Sequence, residues 1–137
     1  MLNKKGFTLI ELMLVVIILS ILVAMVAPRL VGRGEQARRQ AAEADIKSNI
    51  ALALDLYELD NGRYPESLED MLNDPGESKA QNWNGPYLKG RALDPWGREY
   101  KYKTPGDHNP DYDLYSYGGD GAEGGDDDIA NWQQETK

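Results

Sequence analysis

Residues 12–27 read LMLVVIILSILVAMVA, an apolar run broken only by Ser20, and one carboxylate, Glu11, stands at its upstream end. Extended back to Phe7 the run makes about 31 Å of α-helix, enough to cross a bilayer. A cleaved secretory signal is one plain reading, with Lys4 and Lys5 as its charged head. Glu11 argues against it, because a signal carries its charge ahead of the apolar core. Ala24, Ala27 and Pro28 also make a poor A-x-A cleavage site. A simple uncleaved anchor is the other plain reading. A carboxylate inside a membrane helix costs about 2.5–3.5 kcal/mol at mid-bilayer, less near the interface, and usually has a partner. No basic residue stands at helical spacing from Glu11, so another copy of the chain is the economical source. Positive charge leaves the orientation open: Lys4 and Lys5 precede the span, and Arg29, Arg33, Arg38 and Arg39 follow it.

The rest of the chain is short of ordinary core residues. The sequence has 137 residues, which suits one small domain. No valine follows Val31. From Asn61 onward the leucines and isoleucines are Leu68, Leu72, Leu88, Leu93, Leu114 and Ile129, with Trp and Tyr in place of the others. Thin cores need a staple, and a chain without cysteine cannot use a disulfide, so a bound metal is the first staple to consider. Thiol catalysis and thiolate metal sites are excluded for the same reason. A three-His zinc site is excluded because His108 stands alone. The net charge of −8 argues against a nucleic-acid partner. That excess sits wholly in the last 32 residues, which hold nine acids and one base. No nucleophile–base pair, phosphate loop or redox motif is present, so an enzyme is not expected. His108 reads as a surface turn residue.

Pro28 should interrupt or kink the helix as it leaves the apolar segment, and Gly32 and Gly34 weaken it further. Helical spacing resumes over Glu35–Asp60, with Ile46, Ile50, Ala53, Leu54 and Tyr57 on one face. Leu52, Leu56 and Leu59 are expected to widen that face and carry the domain. Asn61-Gly62 is a stop signal. Ser67 should cap a short helix to Leu72, with Asp70 completing a capping box. Residues 73–97 read as a long structured loop, with Asp94-Pro95-Trp96-Gly97 a turn anchored by tryptophan. Glu99–Lys103 and Asp113–Tyr117 alternate and should pair as a hairpin. Asp113, Tyr115 and Tyr117 lie on one side of the second strand, and Leu114 and Ser116 on the other. The fold class is α+β: a long amino-terminal helix packed on a small antiparallel sheet.

The segment Lys4-Lys5-Gly6-Phe7-Thr8-Leu9-Ile10-Glu11, followed by the apolar run, resembles the class III signal of type IV pilins and type II secretion pseudopilins. The resemblance implies cleavage by prepilin peptidase between Gly6 and Phe7 and N-methylation of Phe7. It also implies that Glu11, the fifth mature residue, meets the terminal amine of a neighbouring subunit. NGRYP, DPWG, SYGGDG and DDDIANW follow in the order of the major pseudopilins of type II secretion, so the resemblance covers the whole chain. Pilins that close this region with a disulfide are the more distant neighbours. The implied organisation is a leader over 1–6, a membrane anchor and filament core over 7–28, an amphipathic helix over 29–60, and a globular part over 61–137. The implied role is a subunit of a helical homopolymer, a pseudopilus that drives folded proteins across the outer membrane. It would be anchored in the inner membrane with its carboxy-terminal domain in the periplasm. The implied partners are further copies, minor pseudopilins, prepilin peptidase and the inner-membrane assembly platform. A monomeric, membrane-anchored, calcium-dependent binding module is the reading from a different class.

Residues 118–128 read GGDGAEGGDDD. Five acids among glycines suit a solvated flexible loop. Anchors on both sides, a Tyr-rich strand before and Ile129 with Trp132 after, suit a closed loop instead. Carboxylates alone suit Ca²⁺ better than zinc. The spacing is not that of an EF-hand. The resembling pseudopilins bind calcium here through an Asp in a Gly-rich turn and two adjacent Asp seven and eight residues later. Carried over, the ligands are Asp120, Asp127 and Asp128, with backbone carbonyls of Tyr117, Ala122 and Gly125. Asp126 makes the pair a triplet, so Asp126 with Asp127 is the alternative pair.

Overall fold

The computed structural model describes residues 6–133, with the side chains of residues 28–31 outside that description. Lys4 and Lys5, and the leader apart from Gly6, lie outside the described residues. The chain divides after Gln36 into two compact units.

In the first unit, helix α1 (Leu9–Ala44) begins at Thr8 and continues into the second unit. Thr8 caps it: the Glu11 amide donates to Thr8 Oγ1 at 3.3 Å and to the Thr8 carbonyl at 3.2 Å. Glu11 therefore sits in the first turn, where a negative charge suits the helix dipole. Every described side chain from Phe7 to Ala27 is exposed. The segment is long and apolar enough to cross a membrane. The expected interruption at Pro28 is absent, and the helix runs through Pro28, Gly32 and Gly34. A proline keeps a helical φ and removes one backbone bond. The Ala-, Gln- and Arg-rich turns that follow favour helix enough to carry it on.

In the second unit, α1 passes through one π turn (Asp45–Asn49) into α2 (Ile50–Asn61). The π turn is held from its own ends, because Asn49 Nδ2 donates to Asp45 Oδ1 at 2.8 Å. The other carboxylate oxygen of Asp45 accepts from the Tyr100 hydroxyl at 2.8 Å, tying helix to sheet. Gly62 ends α2 at φ 75°, the left-handed stop expected of Asn61-Gly62. A 3₁₀ turn (Leu68–Met71) replaces the expected short helix, and its capping box between Ser67 and Asp70 is formed. The sheet has three strands in the order β1 (Lys101–Lys103), β2 (Asp113–Ser116), β3 (Ile129–Ala130), all antiparallel. The hairpin is in the register Tyr102–Leu114, with both strands shorter than expected. Strand β3 is the element that sequence reasoning missed; two residues are too few to show alternation.

The core joins Ala42, Ile46, Ile50, Ala53, Leu54 and Tyr57 of the helix to Met71, Ala80, Tyr100, Leu114 and Ile129. Aromatic side chains fill out this small core, Tyr57 against Tyr87 and Trp83 against Tyr87. Leu52, Leu56 and Leu59 do not join it. They are exposed on the opposite face of α2, because the sheet and the 3₁₀ turn cover only one side of the helix.

Candidate functional site

The acidic segment is the connection between β2 and β3, so its two ends are hydrogen-bonded to each other. Tyr115 pairs with Ala130 and Ser116 with Ile129. Below it lies the DPWG turn. Asp94 is buried and its Oδ1 accepts from the amides of Trp96, at 3.1 Å, and Arg98, at 2.9 Å. Its Oδ2 accepts from the Ser116 hydroxyl at 2.7 Å, and Ser116 Oγ in turn accepts from the Gly118 amide at 3.1 Å. Arg98, placed by this turn, donates from Nη1 to the Gly118 carbonyl at 2.8 Å. Gly121, at φ 69°, lies against the same guanidinium, where a Cβ would collide. On the far side, Arg39 Nη1 of α1 donates to the Asp126 carbonyl at 3.1 Å. Neither arginine had a sequence signal that marked it as a support for the loop.

Within the loop, Asp120, Asp127 and Asp128 each bring a carboxylate oxygen to within 4.8 Å of the others. The carboxylate of Asp126 is not among them. The backbone arranges the three. The Asp120 amide donates to Asp127 Oδ2 at 2.9 Å, the Ala122 amide to Asp120 Oδ1 at 2.9 Å, and the Gly124 amide to Asp128 Oδ2 at 2.8 Å. Gly125 lies beside the cluster, and a Cβ there would come 3.2 Å from Asp127 Oδ1 and 3.8 Å from Asp120 Oδ2. Asp128 Oδ1 is buried with no hydrogen-bond partner. Burial pushes the Asp128 carboxyl above its ordinary value. The Gly124 amide opposes this, and the charges of Asp127, Asp120 and Glu123 add to it. An orphaned buried oxygen beside two further carboxylates is a donor set that fits a hard cation with oxygen ligands.

A second constellation was not foreseen. Asp113, on the side of β2 opposite Leu114 and Ser116, is buried. Its carboxylate accepts from the amides of Asp107, at 2.8 Å, and Asn109, at 3.0 Å, and it also takes the His108 amide. His108 Nδ1 lies 2.9 Å from Asp113 Oδ2, and the imidazole stacks on Trp132 with centroids 3.9 Å apart. Burial raises the Asp113 carboxyl, but the His108 ring and the three amides outweigh it and hold the group below its ordinary value. His108 thus closes the hairpin turn over Asp113 while half its side chain stays in water. The signal was Asp113 itself, an acid four residues after an Asp-His-Asn turn.

At the amino terminus Gly6 and Phe7 precede the first helical turn without regular structure. The Glu11 side chain is exposed and has no hydrogen-bond or ionic partner among the described residues.

A long helix whose apolar first part is exposed on every side, followed by a small three-stranded sheet packed on its second part, defines the pilin-like class. The family described as type II secretion system (T2SS), protein G matches residues 29–132, and the prokaryotic N-terminal methylation motif matches residues 1–27. The chain is 50% identical over 138 residues to the type II secretion system core protein G of Pseudomonas aeruginosa, covering 95% of this chain and 96% of that one. It is 42% identical over 137 residues to the core protein G of Vibrio cholerae, covering 95% and 92%. The crystal structure of the major pseudopilin from the type 2 secretion system of enterohaemorrhagic Escherichia coli superposes with a TM-score of 0.64 at 31% identity, over 79% of this chain and 95% of that one. The chain belongs to the type II secretion system protein G family, the major pseudopilins, which are structural subunits of the pseudopilus and not enzymes.

Proposed function

We propose that the chain enters the inner membrane as a single span, with Lys4 and Lys5 cytoplasmic and the carboxy-terminal domain in the periplasm. Prepilin peptidase cuts between Gly6 and Phe7 and methylates the new Phe7 amine. The mature protein then polymerises, with minor pseudopilins and on the inner-membrane assembly platform, into a filament that drives folded proteins across the outer membrane. The observation that carries this reading is the exposure of every side chain from Phe7 to Ala27. A helix apolar all round belongs in lipid or among other apolar helices.

Glu11 supplies the register. Its carboxylate lacks a partner among the described residues, and burial of an unpaired charge in an apolar filament core is costly, whereas a paired one is tolerated. The Phe7 amine of a neighbouring copy is the counter-charge, and it exists only after cleavage. Glu11→Ala should leave insertion and processing intact and sharply reduce filament assembly and secretion. Normal filaments from the alanine variant would remove Glu11 from this role.

In the same reading the β2–β3 loop holds calcium through Asp120, Asp127 and Asp128. The resemblance adds the backbone of Tyr117, Ala122 and Gly125. Support comes from the convergence of the three carboxylates and from the orphaned oxygen of Asp128. A bound Ca²⁺ supplies the charge that lets three carboxylates ionise side by side. Asp126 is left outside the set, with its carbonyl committed to Arg39.

A further inference from the structure

Leu52, Leu56 and Leu59 recur at four- and three-residue steps, so they form one stripe along α2. They are 62%, 45% and 76% exposed. Ile50, Ala53, Leu54 and Tyr57 fill the core from the opposite face. Beyond the amino-terminal apolar segment, Leu93 is the other large hydrophobic exposed among the described residues, at 44%. The two patches differ in charge. Asp55 and Asp60 stand beside the leucine stripe, at three- and four-residue steps from its members, where they accept from the Tyr64 and Tyr87 hydroxyls. Leu93 bridges to Glu99 in antiparallel register, and the Tyr100 amide donates to the Ala92 carbonyl. That register places Arg91, Leu93, Glu99 and Lys101 together on the exposed side, while Tyr100 turns inward. Arg91 is ion-paired with Glu99, so Lys101 leaves a net positive charge beside Leu93, opposite in sign to the acids beside the stripe.

We infer that the leucine stripe of α2 is a docking surface for the Leu93 patch of a second copy of this chain. The inference rests on the pseudopilus reading and adds to it one pair of surfaces. A stripe that met its own counterpart would make a two-fold contact and close a dimer. A filament needs two different patches that meet head to tail, because only such contacts continue without closing. The leucine stripe and the Leu93 patch are two such surfaces, apolar at the centre and complementary in charge at the rim. Exposed apolar clusters rimmed by charge mark interaction sites.

The natural chain has no cysteine, so introduced pairs report alone. Full-length copies carrying Leu52→Cys, Leu56→Cys or Leu59→Cys are coexpressed with copies carrying Leu93→Cys, and assembled filaments are oxidised. At least one mixture should give a covalent dimer that neither variant gives alone, and a chain carrying both substitutions should give a ladder. In parallel, a chain with Leu52→Ser, Leu56→Ser and Leu59→Ser should melt like the wild type in its folded domain yet yield about tenfold fewer filaments, since only exposed apolar surface is removed. Dimers from the α2 variants alone would overturn the inference in favour of a two-fold contact. Filaments that form normally but never cross-link through Leu93→Cys, or a triple variant with unchanged filament yield, would overturn it and leave the pseudopilus reading standing. A wild-type protein that makes no filaments would remove both.

Discussion

The guanidinium of Arg39 on α1 donates to the main-chain carbonyl of Asp126 at 3.1 Å, so the acidic loop is attached to the helix that carries the domain. Arg98 holds the other limb of the same loop at Gly118. Two cations thus fix the backbone of a segment whose side chains repel one another, and these bonds go to main-chain carbonyls, not to the three carboxylates. The loop is shaped from outside and left with its negative charge inside.

Removal of one support should cost affinity. Arg39→Ala deletes a single hydrogen bond to the loop, worth about 0.5–1.5 kcal/mol. If that energy serves to preorganise the closed loop, the calcium Kd of the domain should rise about threefold to tenfold by titration calorimetry. An unchanged Kd would show that the loop closes without the helix.

Calcium itself should stabilise the domain. A ligand that binds only the folded state adds about 2.7 kcal/mol at a hundredfold excess over Kd. That raises the melting temperature by about 10 °C or more in a domain of this size. Magnesium should substitute poorly, because it prefers a tighter octahedral shell and keeps its waters. Asp120→Ala and Asp127→Ala should melt like the chelated wild type, and Asp126→Ala should still respond to calcium. Equal melting curves in excess calcium and excess chelator would reduce the loop to an acidic surface.

Asp128 gives this site a crossing signature. Its folded pKa is raised, chiefly by burial. Its contribution to metal-free stability is therefore full below the ordinary carboxylate range and is lost as pH rises through the folded value. Metal-free Asp128→Asn should accordingly melt higher than metal-free wild type at pH 7. With calcium present the order should reverse, because the variant lacks a charged ligand. The same order under both conditions would contradict the role given to Asp128.

Asp113 behaves oppositely. Burial is outweighed by the His108 ring and three amides, so its folded pKa is depressed. The stability it contributes is present above the ordinary carboxylate value, about 3.9, and is lost as pH falls through the depressed one. Asp113→Asn should lower stability at pH 7 by about 1–3 kcal/mol, as the charged acceptor of three amides is removed. It should also flatten the loss of melting temperature below pH 4. A variant as acid-labile as the wild type would move the acid-sensitive group elsewhere.

Much of this fold was legible because its signals are local. Helical spacing from Ile46 to Tyr57, the Asn61-Gly62 stop, the Ser67 capping box and the β1–β2 hairpin all depend on residues a few positions apart. The convergence of Asp120, Asp127 and Asp128 was legible from the resemblance, and the structure brings those three together without Asp126. What was not legible depends on distant partners. Asp113 breaks the alternation of β2 because the Asp107–Asn109 turn folds over it. Leu52, Leu56 and Leu59 look like core by composition and are exposed because no second layer covers that side of α2. Pro28 shows the limit of a local rule, since a single missing backbone bond does not end a helix that good helix formers continue.

The most direct measurement is the amino-terminal sequence and intact mass of the protein purified from assembled filaments. The account predicts a chain that begins at Phe7, carries one methyl group on its terminal amine, and lacks residues 1–6. That amine is the counter-charge assigned to Glu11. A filament protein that still begins at Met1, or one cleaved after Ala27, would contradict the pairing and with it the proposed route to assembly.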